Sequence, residues 1–314
     1  MLALPPIARA QTQSSKARVG VLFQGTLAAG KHLLDTFKDE MAKSGWREGV
    51  NIEYAFREAL NDTVRLDALA AELVSQRMDV IVVAAAPVAL AVRKHTKSIP
   101  IVFWVVADPI AAGLVASLAK PGGNATGITW RFEGLWGKRL QLLQELIPSL
   151  RRVGLLYDPA DAQDAETAQV LQAVGKNLSI DVELFRVSHP REFRAAFMEM
   201  KNAKISAAMI GGGNMFFVQR KLIADLGLEH RIATSRTYPE DVEAGMLASY
   251  GVNLSSLIRR GARFTDRILK GAKPADLPVE QPSVLELMIN LKTAKALGIK
   301  IPPSILLRAD RVIE

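Results

Sequence analysis

"RVGVL" at Arg18–Leu22 returns as "RVGLL" at Arg152–Leu156, and the segments after each copy return in the same order. After the first come a helix and the alternating run Ile52-Glu53-Tyr54-Ala55-Phe56. After the second come a helix and Ile180-Asp181-Val182-Glu183-Leu184. A further helix and buried strand come next each time, from Val64 to Val83 and from Arg191 to Ile210. Both end in small-residue loops, Ala84-Ala85-Ala86-Pro87 and Gly211-Gly212-Gly213-Asn214. Val19–Phe23, Val80–Ala84, Ile101–Val106, Val153–Tyr157 and Ala207–Ile210 are short and continuously apolar, the pattern of parallel strands buried on both faces. Strands alternating with amphipathic helices specify open parallel sheets with right-handed crossovers. The repetition specifies two copies of one Rossmann-like, three-layer α/β lobe.

The helices carry their own signals. Asp62 is placed to cap a helix whose Leu66, Leu69 and Leu73 share one face. Leu140, Leu143 and Ile147 do the same before Pro148 stops the next helix.

Between the copies lies "AKPGGNATGITW", Ala119–Trp130. It lacks the G-x-G-x-x-G fingerprint and the Lys-Ser/Thr of a phosphate loop. Asn124-Ala125-Thr126 matches a glycosylation acceptor, a tripeptide common by chance. Pro121-Gly122-Gly123 suits a tight turn, and Ile128-Thr129-Trp130 reads as extended chain leaving the first lobe. The stretch is therefore read as a crossover between lobes, with hinges at Gly127–Trp130 and Ser249–Val252.

The chain has 314 residues, 49% of them apolar and 23% charged, so disorder is excluded and about two domains are expected. It has no cysteine, which excludes disulfides, zinc–thiolate sites and a cysteine nucleophile. The net charge of +8 is spread along the chain without an arginine tract interleaved with aromatics. A basic solvated surface is expected, and no nucleic-acid partner. The expected lobes are residues 18–128 plus about 252–283, and 129–251 plus about 284–314. Residues 1–17, with Ala8-Arg9-Ala10 before Gln11, read as the remnant of an export signal or as a short disordered tail. No run reaches the ~18 apolar residues of a membrane span.

Ligands of open α/β sheets bind beyond the carboxyl ends of the strands, and in two such lobes those ends face one cleft. In the first lobe this selects Gln24, Gly25, Thr26, Arg57, Ala86, Pro87 and Asp108. In the second it selects Tyr157, Asp158, Asn214, Phe216 and Arg236. Trp130 and Tyr250, in the inter-lobe segments, would supply a stacking wall. Asp108 before Pro109 is equally suited to capping a helix, as is Asp158 before Pro159, and Phe216 to a core. His32, His95, His189 and His230 have no partner at catalytic or ligand spacing and read as exposed or capping. "DPADAQDAE", Asp158–Glu166, reads as a capped, solvated helix start and not as a calcium loop. No G-x-S-x-G is present.

The stretch from Asp108 to Asn124, "DPIAAGLVASLAKPGGN", resembles the hallmark of the ABC transporter substrate-binding protein family that includes tryptophan- and tyrosine-binding receptors. So do "ALAAELV" (Ala68–Val74), "KRLQLLQELIP" (Lys138–Pro148), "SYG" (Ser249–Gly251) and the segment Ile268–Glu314. The resemblance implies a type I periplasmic-binding-protein fold, two α/β lobes joined by three crossovers. It implies export to the periplasm and no catalysis or cofactor. A monomer would close on a small ligand and deliver it to an inner-membrane ABC permease served by a separate ATPase. Relatives commonly carry a glycine and a hydroxyl residue just before the proline matching Pro87, where this chain has alanines. The other reading is a cytoplasmic regulator or enzyme on the same architecture. A repressor needs a helix-turn-helix before Arg18 and a dehydrogenase needs the glycine fingerprint, and neither is present.

Overall fold

A computed structural model describes residues 16–28, 30–130 and 134–314. The first half runs β1 (Ala17–Phe23), α1 (Lys31–Lys43), β2 (Ile52–Glu58), α2 (Thr63–Ser75), β3 (Val80–Val83), α3 (Ala86–His95), β4 (Ile101–Val106) and β5 (Ala125–Thr129). The second begins α4 (Leu135–Leu146), β6 (Arg152–Tyr157), α5 (Ala162–Leu178), β7 (Asp181–Arg186), α6 (Phe193–Asn202) and β8 (Ala207–Ile210). It continues α7 (Asn214–Val218), α8 (Arg220–His230), β9 (Ala233–Arg236), α9 (Pro239–Glu243) and β10 (Ala248–Gly251). The chain ends α10 (Leu254–Leu269), β11 (Glu286–Asn290), α11 (Leu291–Leu297), α12 (Pro303–Leu306) and β12 (Arg311–Ile313).

Two sheets result. The order of the first is β2-β1-β3-β4-β5, and of the second β12-β11-β10-β9-β8-β6-β7. The segment β7-β6-β8-β9-β10 repeats the first sheet strand for strand, so the duplication read from "RVGVL" and "RVGLL" is a duplication of topology. Pairing is parallel except between β10 and β11. Buried strands such as β3 and β8 are covered on both faces, which is why their sequences are apolar without alternation.

Local chemistry sets the helix starts. The Asp62 carboxylate accepts from Val64 N and Arg65 N and opens α2. Asp161 does the same for α5, accepting from Gln163 N and Asp164 N. The chain leaves the first sheet after β5 and returns after β10. α10 then packs its apolar face, through Leu254, Leu257, Ile258 and Phe264, into the cluster built on β1, β3 and β4. Glu280 pairs with Ile128 at the outer edge of β5 before β11 joins the second sheet.

Ile128 and Thr129 are extended, as read from the sequence, and belong to the first sheet: Ala125–Thr129 is its fully buried strand β5. A β-carbon at Gly127 would collide with the Phe103 carbonyl, so glycine is required there by close packing of β5 on β4 and not by hinge motion. Gly134, at φ 71°, opens α4. Among the described residues no helix is long and apolar enough to cross a membrane.

Candidate functional site

Both sheets share the strand order 2-1-3, in which the connections leave a central strand toward opposite sides. The carboxyl ends of those strands leave a crevice at this switch point, where ligands of open α/β sheets bind. In lobe 1, the half carrying the first sheet, the crevice is walled by Gln24–Thr26 after β1 and Ala84–Pro87 after β3. In lobe 2 it is walled by Asp158 after β6 and Gly211–Asn214 after β8. The two crevices face each other.

The rims are in contact. Asn214, the first residue of α7, donates from Nδ2 to Asn61 Oδ1 of lobe 1 at 2.8 Å. Its Nδ2 also lies 3.1 Å from where a β-carbon on Gly25 would stand, and Val218 Cγ2 lies 3.2 Å from the same point. A side chain at this position would have to push Asn214 and Val218 aside by a few tenths of an ångström, so glycine lets the first β–α loop of lobe 1 sit close to α7 without that shift. That loop is held by Asn61 N donating to Gln24 O at 2.7 Å and by Leu27 N donating to Glu58 Oε2 at 2.6 Å. On α1, His32 Nε2 lies 3.3 Å from Glu240 Oε1 on α9. Tyr238 is buried in the apolar cluster of lobe 1 although its neighbours in sequence belong to lobe 2, and Phe217 packs on the same cluster. The two rings meet edge to face at 5.8 Å. A groove of about 500 Å³ between Ala28 and His32 on one side and Val218, Arg220, Glu240 and Ala244 on the other opens at this rim.

The residues selected from sequence divide into two groups. Gln24, Gly25, Thr26, Ala86, Asp108, Asp158, Asn214 and Tyr250 stand at the facing strand ends, each half-buried except the buried Gly25, with exposed Pro87 beside them. Asp108 Oδ1 accepts from Ile110 N and Ala111 N, so it caps a turn. Asp158 Oδ1 likewise accepts from Ala160 N.

The other side chains are engaged inside the protein. The Arg57 guanidinium is tied to Glu72 on α2, with Nη2 2.6 Å from Oε1; β2 presents it to the helix layer and not to lobe 2. Glu72 in turn holds Arg57 above its ordinary pKa. Phe216 is fully buried and stacks on Phe193 with ring centres 5.8 Å apart, a core residue of lobe 2. Tyr157 is buried with its hydroxyl 3.1 Å from Arg186 Nε. Trp130 is buried in the cluster of lobe 1. Arg236 is wholly buried: Nε donates to Gly211 O at 2.8 Å and Nη2 to Gly212 O and Gly213 O at 3.0 and 3.1 Å. Its Nη1 lies 3.1 Å from Asp241 Oδ1. It braces the glycine loop from beneath.

Two further expectations change. His230 is buried against Phe197 rather than exposed. Asp164, read as part of a solvated acidic helix start, is inaccessible to solvent. Its Oδ1 accepts from Gly212 N at 2.7 Å and its Oδ2 from Asp158 N at 3.1 Å, so it fastens the two crevice loops of lobe 2 together. Burial pushes its pKa up to about 6, against the pull of those two N–H groups. Residues that sequence reading did not select include Asn61, Glu240, Asp164 and Arg139. Each is brought to the cleft wall by contacts distant in sequence, as with Asn61 and Asn214.

Comparison with known proteins now decides the family. The model of the ABC transporter substrate binding protein family matches residues 28–313. The chain belongs to that family.

A tyrosine-binding protein of Clostridioides difficile (strain R20291) is 28% identical over 264 residues, covering 84% of this chain and 76% of the relative. A solved ABC domain from Streptococcus pneumonia in complex with L-Trp is 27% identical with a TM-score of 0.86, covering 95% of this chain and all of that one. A ligand-free, open substrate-binding protein of Clostridium difficile is 25% identical with a TM-score of 0.70, over 95% and 99% of the two chains. The fold of this ABC substrate-binding protein is that of type I periplasmic binding proteins, two Rossmann-like lobes facing one cleft.

Proposed function

We propose that this protein is an extracytoplasmic solute receptor of an ABC importer, whose lobes close on an amino acid or a related aromatic metabolite. The observation that carries this reading is the contact of the two rims, Asn61 and Gly25 with Asn214 and His32 with Glu240, around two facing switch points. The overall arrangement agrees better with the L-Trp complex, at a TM-score of 0.86, than with the ligand-free open relative at 0.70. Contacts made only when the lobes meet are what a ligand trapped between them would stabilise.

The moving bodies in this reading are residues 18–130 with about 252–283, and residues 134–251 with about 284–314, the boundary falling after β5 and Trp130. Gln24, Thr26, Asp108, Asn214 and Tyr250 line the space they enclose. Asp108 is the acceptor for a ligand ammonium and Tyr250 the stacking ring. The receptor performs no catalysis and needs no cofactor. It works as a monomer in the periplasm and hands its ligand to an inner-membrane ABC permease; Ala8-Arg9-Ala10, outside the described residues, is the end of the export signal.

The test is native mass spectrometry of the purified protein for a carried-over ligand, followed by a thermal-shift panel of amino acids and aromatic acids. A ligand at 100 times its Kd stabilises the fold by about 2.7 kcal/mol, a clear rise in melting temperature. Cell fractionation separates this reading from a cytoplasmic regulator: recovery in the cytoplasm would overturn it.

A further inference from the structure

Two arginines are buried in the cleft wall of lobe 2, and their surroundings are opposite. Arg236 has carbonyl acceptors on Nε and Nη2 and a carboxylate on Nη1. Arg139, on α4, is as deeply buried at 2% exposure. Its Nε donates to Tyr250 O at 2.7 Å, and its guanidinium lies 4.6 Å from the centre of the Trp136 ring. Its Nη1 and Nη2 have no acceptor among the described residues. Burial, reinforced by the positive charge of Arg236, depresses its pKa to about 9, although Tyr238, Asp241 and Tyr250 act in the other direction. Asp241 is already committed to Arg236 and to Tyr238 N.

A guanidinium carries five N–H donors in a rigid fork suited to two oxygens in one plane. Leaving most of them unmet in a buried place is among the costlier arrangements a fold can hold. Its position gives the reason. Tyr250 and Gly251 end β10, where the chain crosses back to lobe 1. A β-carbon on Gly251 would strike the Thr237 carbonyl, and it would lie 3.0 Å from Thr237 Cγ2 and 3.1 Å from Arg139 Nη2. Arg139 and Thr237 thus converge on one point beyond the carboxyl ends of β9 and β10. The Thr237 hydroxyl is buried without a partner, and so is that of Ser249. Ser249 precedes Gly251 by two residues on the same face of β10. Unmet donors of one chemical kind, a planar cation and two hydroxyls, gather at the crossover that must move when the lobes part.

We propose that Arg139 is the anchor for a ligand carboxylate, with the hydroxyls of Thr237 and Ser249 as its accessory donors. The inference rests on the receptor reading of the cleft and names the ligand class, an organic acid. The anion reaches the guanidinium while the lobes are apart, and closure then seals a charge-assisted pair away from water. Specificity comes from the donors left bare: a protonated amine of the same shape has no acceptor for them, and an amide offers one uncharged oxygen where a carboxylate offers two charged ones, so both are disfavoured.

The test compares wild type with Arg139→Met and Arg139→Lys, using L-tyrosine, L-tryptophan and benzoate against tyramine, tryptamine and benzamide. Calorimetry and melting curves are recorded with and without each probe. The expected result is that acids bind and their amine or amide partners do not. Arg139→Met loses at least 100-fold in acid affinity, Arg139→Lys recovers part of it, and unliganded Arg139→Met melts at or above wild type because an unpaired buried cation has been removed. Arg139→Met binding an acid within threefold of wild type overturns the proposal. So does an unliganded Arg139→Met melting well below wild type, the mark of a structural brace. Binding of tyramine or benzamide without the acids overturns the anchor and leaves the receptor reading standing. No response of wild type to any of the six probes overturns the acid preference and the aromatic-ligand reading together.

Discussion

Asn214 and Asn61 face each other across the cleft, the Nδ2 of one 2.8 Å from the Oδ1 of the other, although 153 positions separate them in the chain. A hydrogen bond between an exposed amide, Asn61, and a half-buried one, Asn214, contributes about 0.5–1.5 kcal/mol. Asn214→Ala should therefore leave each lobe intact while shifting the open–closed balance toward open by roughly threefold to tenfold. Small-angle scattering of the unliganded protein reads this as a larger radius of gyration, and calorimetry as weaker binding of whichever ligand the wild type takes. An unchanged scattering curve would mean that the rims are held by other contacts.

How much of this was legible depends on where the information lies. The duplication, β1, β3, β4, β6 and β8 were readable because a strand buried on both faces must be continuously apolar. β9 was not: Ala-Thr-Ser-Arg is entirely buried, but its polarity is satisfied by neighbours the local sequence does not show. β5 was hidden by Gly127, whose purpose is the approach of Phe103 O. The switch-point loops were legible because topology alone places them. Which side chains enter the cleft was not, since Arg57 is drawn outward by Glu72 and Phe216 inward by Phe193. Arg139 lies inside "KRLQLL" and looks like an ordinary polar helix position; only its contact with Tyr250 O reveals its burial.

The pair of Arg236 and Asp241 predicts a large stability effect. Both side chains are wholly excluded from solvent. Arg236→Met would strand a carboxylate whose pKa burial already raises, and would unmask the carbonyls of Gly211, Gly212 and Gly213. Removing one partner of a buried pair costs about 3–5 kcal/mol. Urea denaturation followed by circular dichroism should show a loss of this size. Arg236→Lys should restore little of it, because an ammonium cannot reach three carbonyls with a planar fork. A loss under about 1 kcal/mol would contradict the bracing function.

Asp164 predicts a pH dependence with a definite sign. Its folded pKa, about 6, lies above the unfolded value of 3.8. The folded state therefore holds the proton more tightly. The stabilisation from this group is fully present below about pH 4 and is lost as pH rises through 6. The gap between the two values corresponds to roughly 3 kcal/mol. Asp164→Asn removes the titration while keeping an oxygen for Gly212 N. The stability of wild type minus that of the variant, from urea curves between pH 4 and 7, should fall by about 2–3 kcal/mol as pH rises. A difference that stays flat over this range would place the group in a solvated setting.

Ala85 predicts a gain. It stands between β3 and α3, at the crevice of lobe 1, with φ 77° and ψ 152°. A side chain is strained in that conformation, by about 1–3 kcal/mol, and glycine is not. Ala85→Gly relieves the strain and adds about 0.5–1 kcal/mol of unfolded-state entropy, which works the other way. The net expectation is a stabilisation of about 1 kcal/mol, a rise of roughly 2–4 °C in melting temperature. The same substitution frees the loop to present residue 86 differently, so Ala85→Gly/Ala86→Thr should supply a hydroxyl donor at the crevice and tighten binding of a polar ligand beyond Ala85→Gly alone. A melting temperature that falls on Ala85→Gly would show that the loop is not strained at this residue.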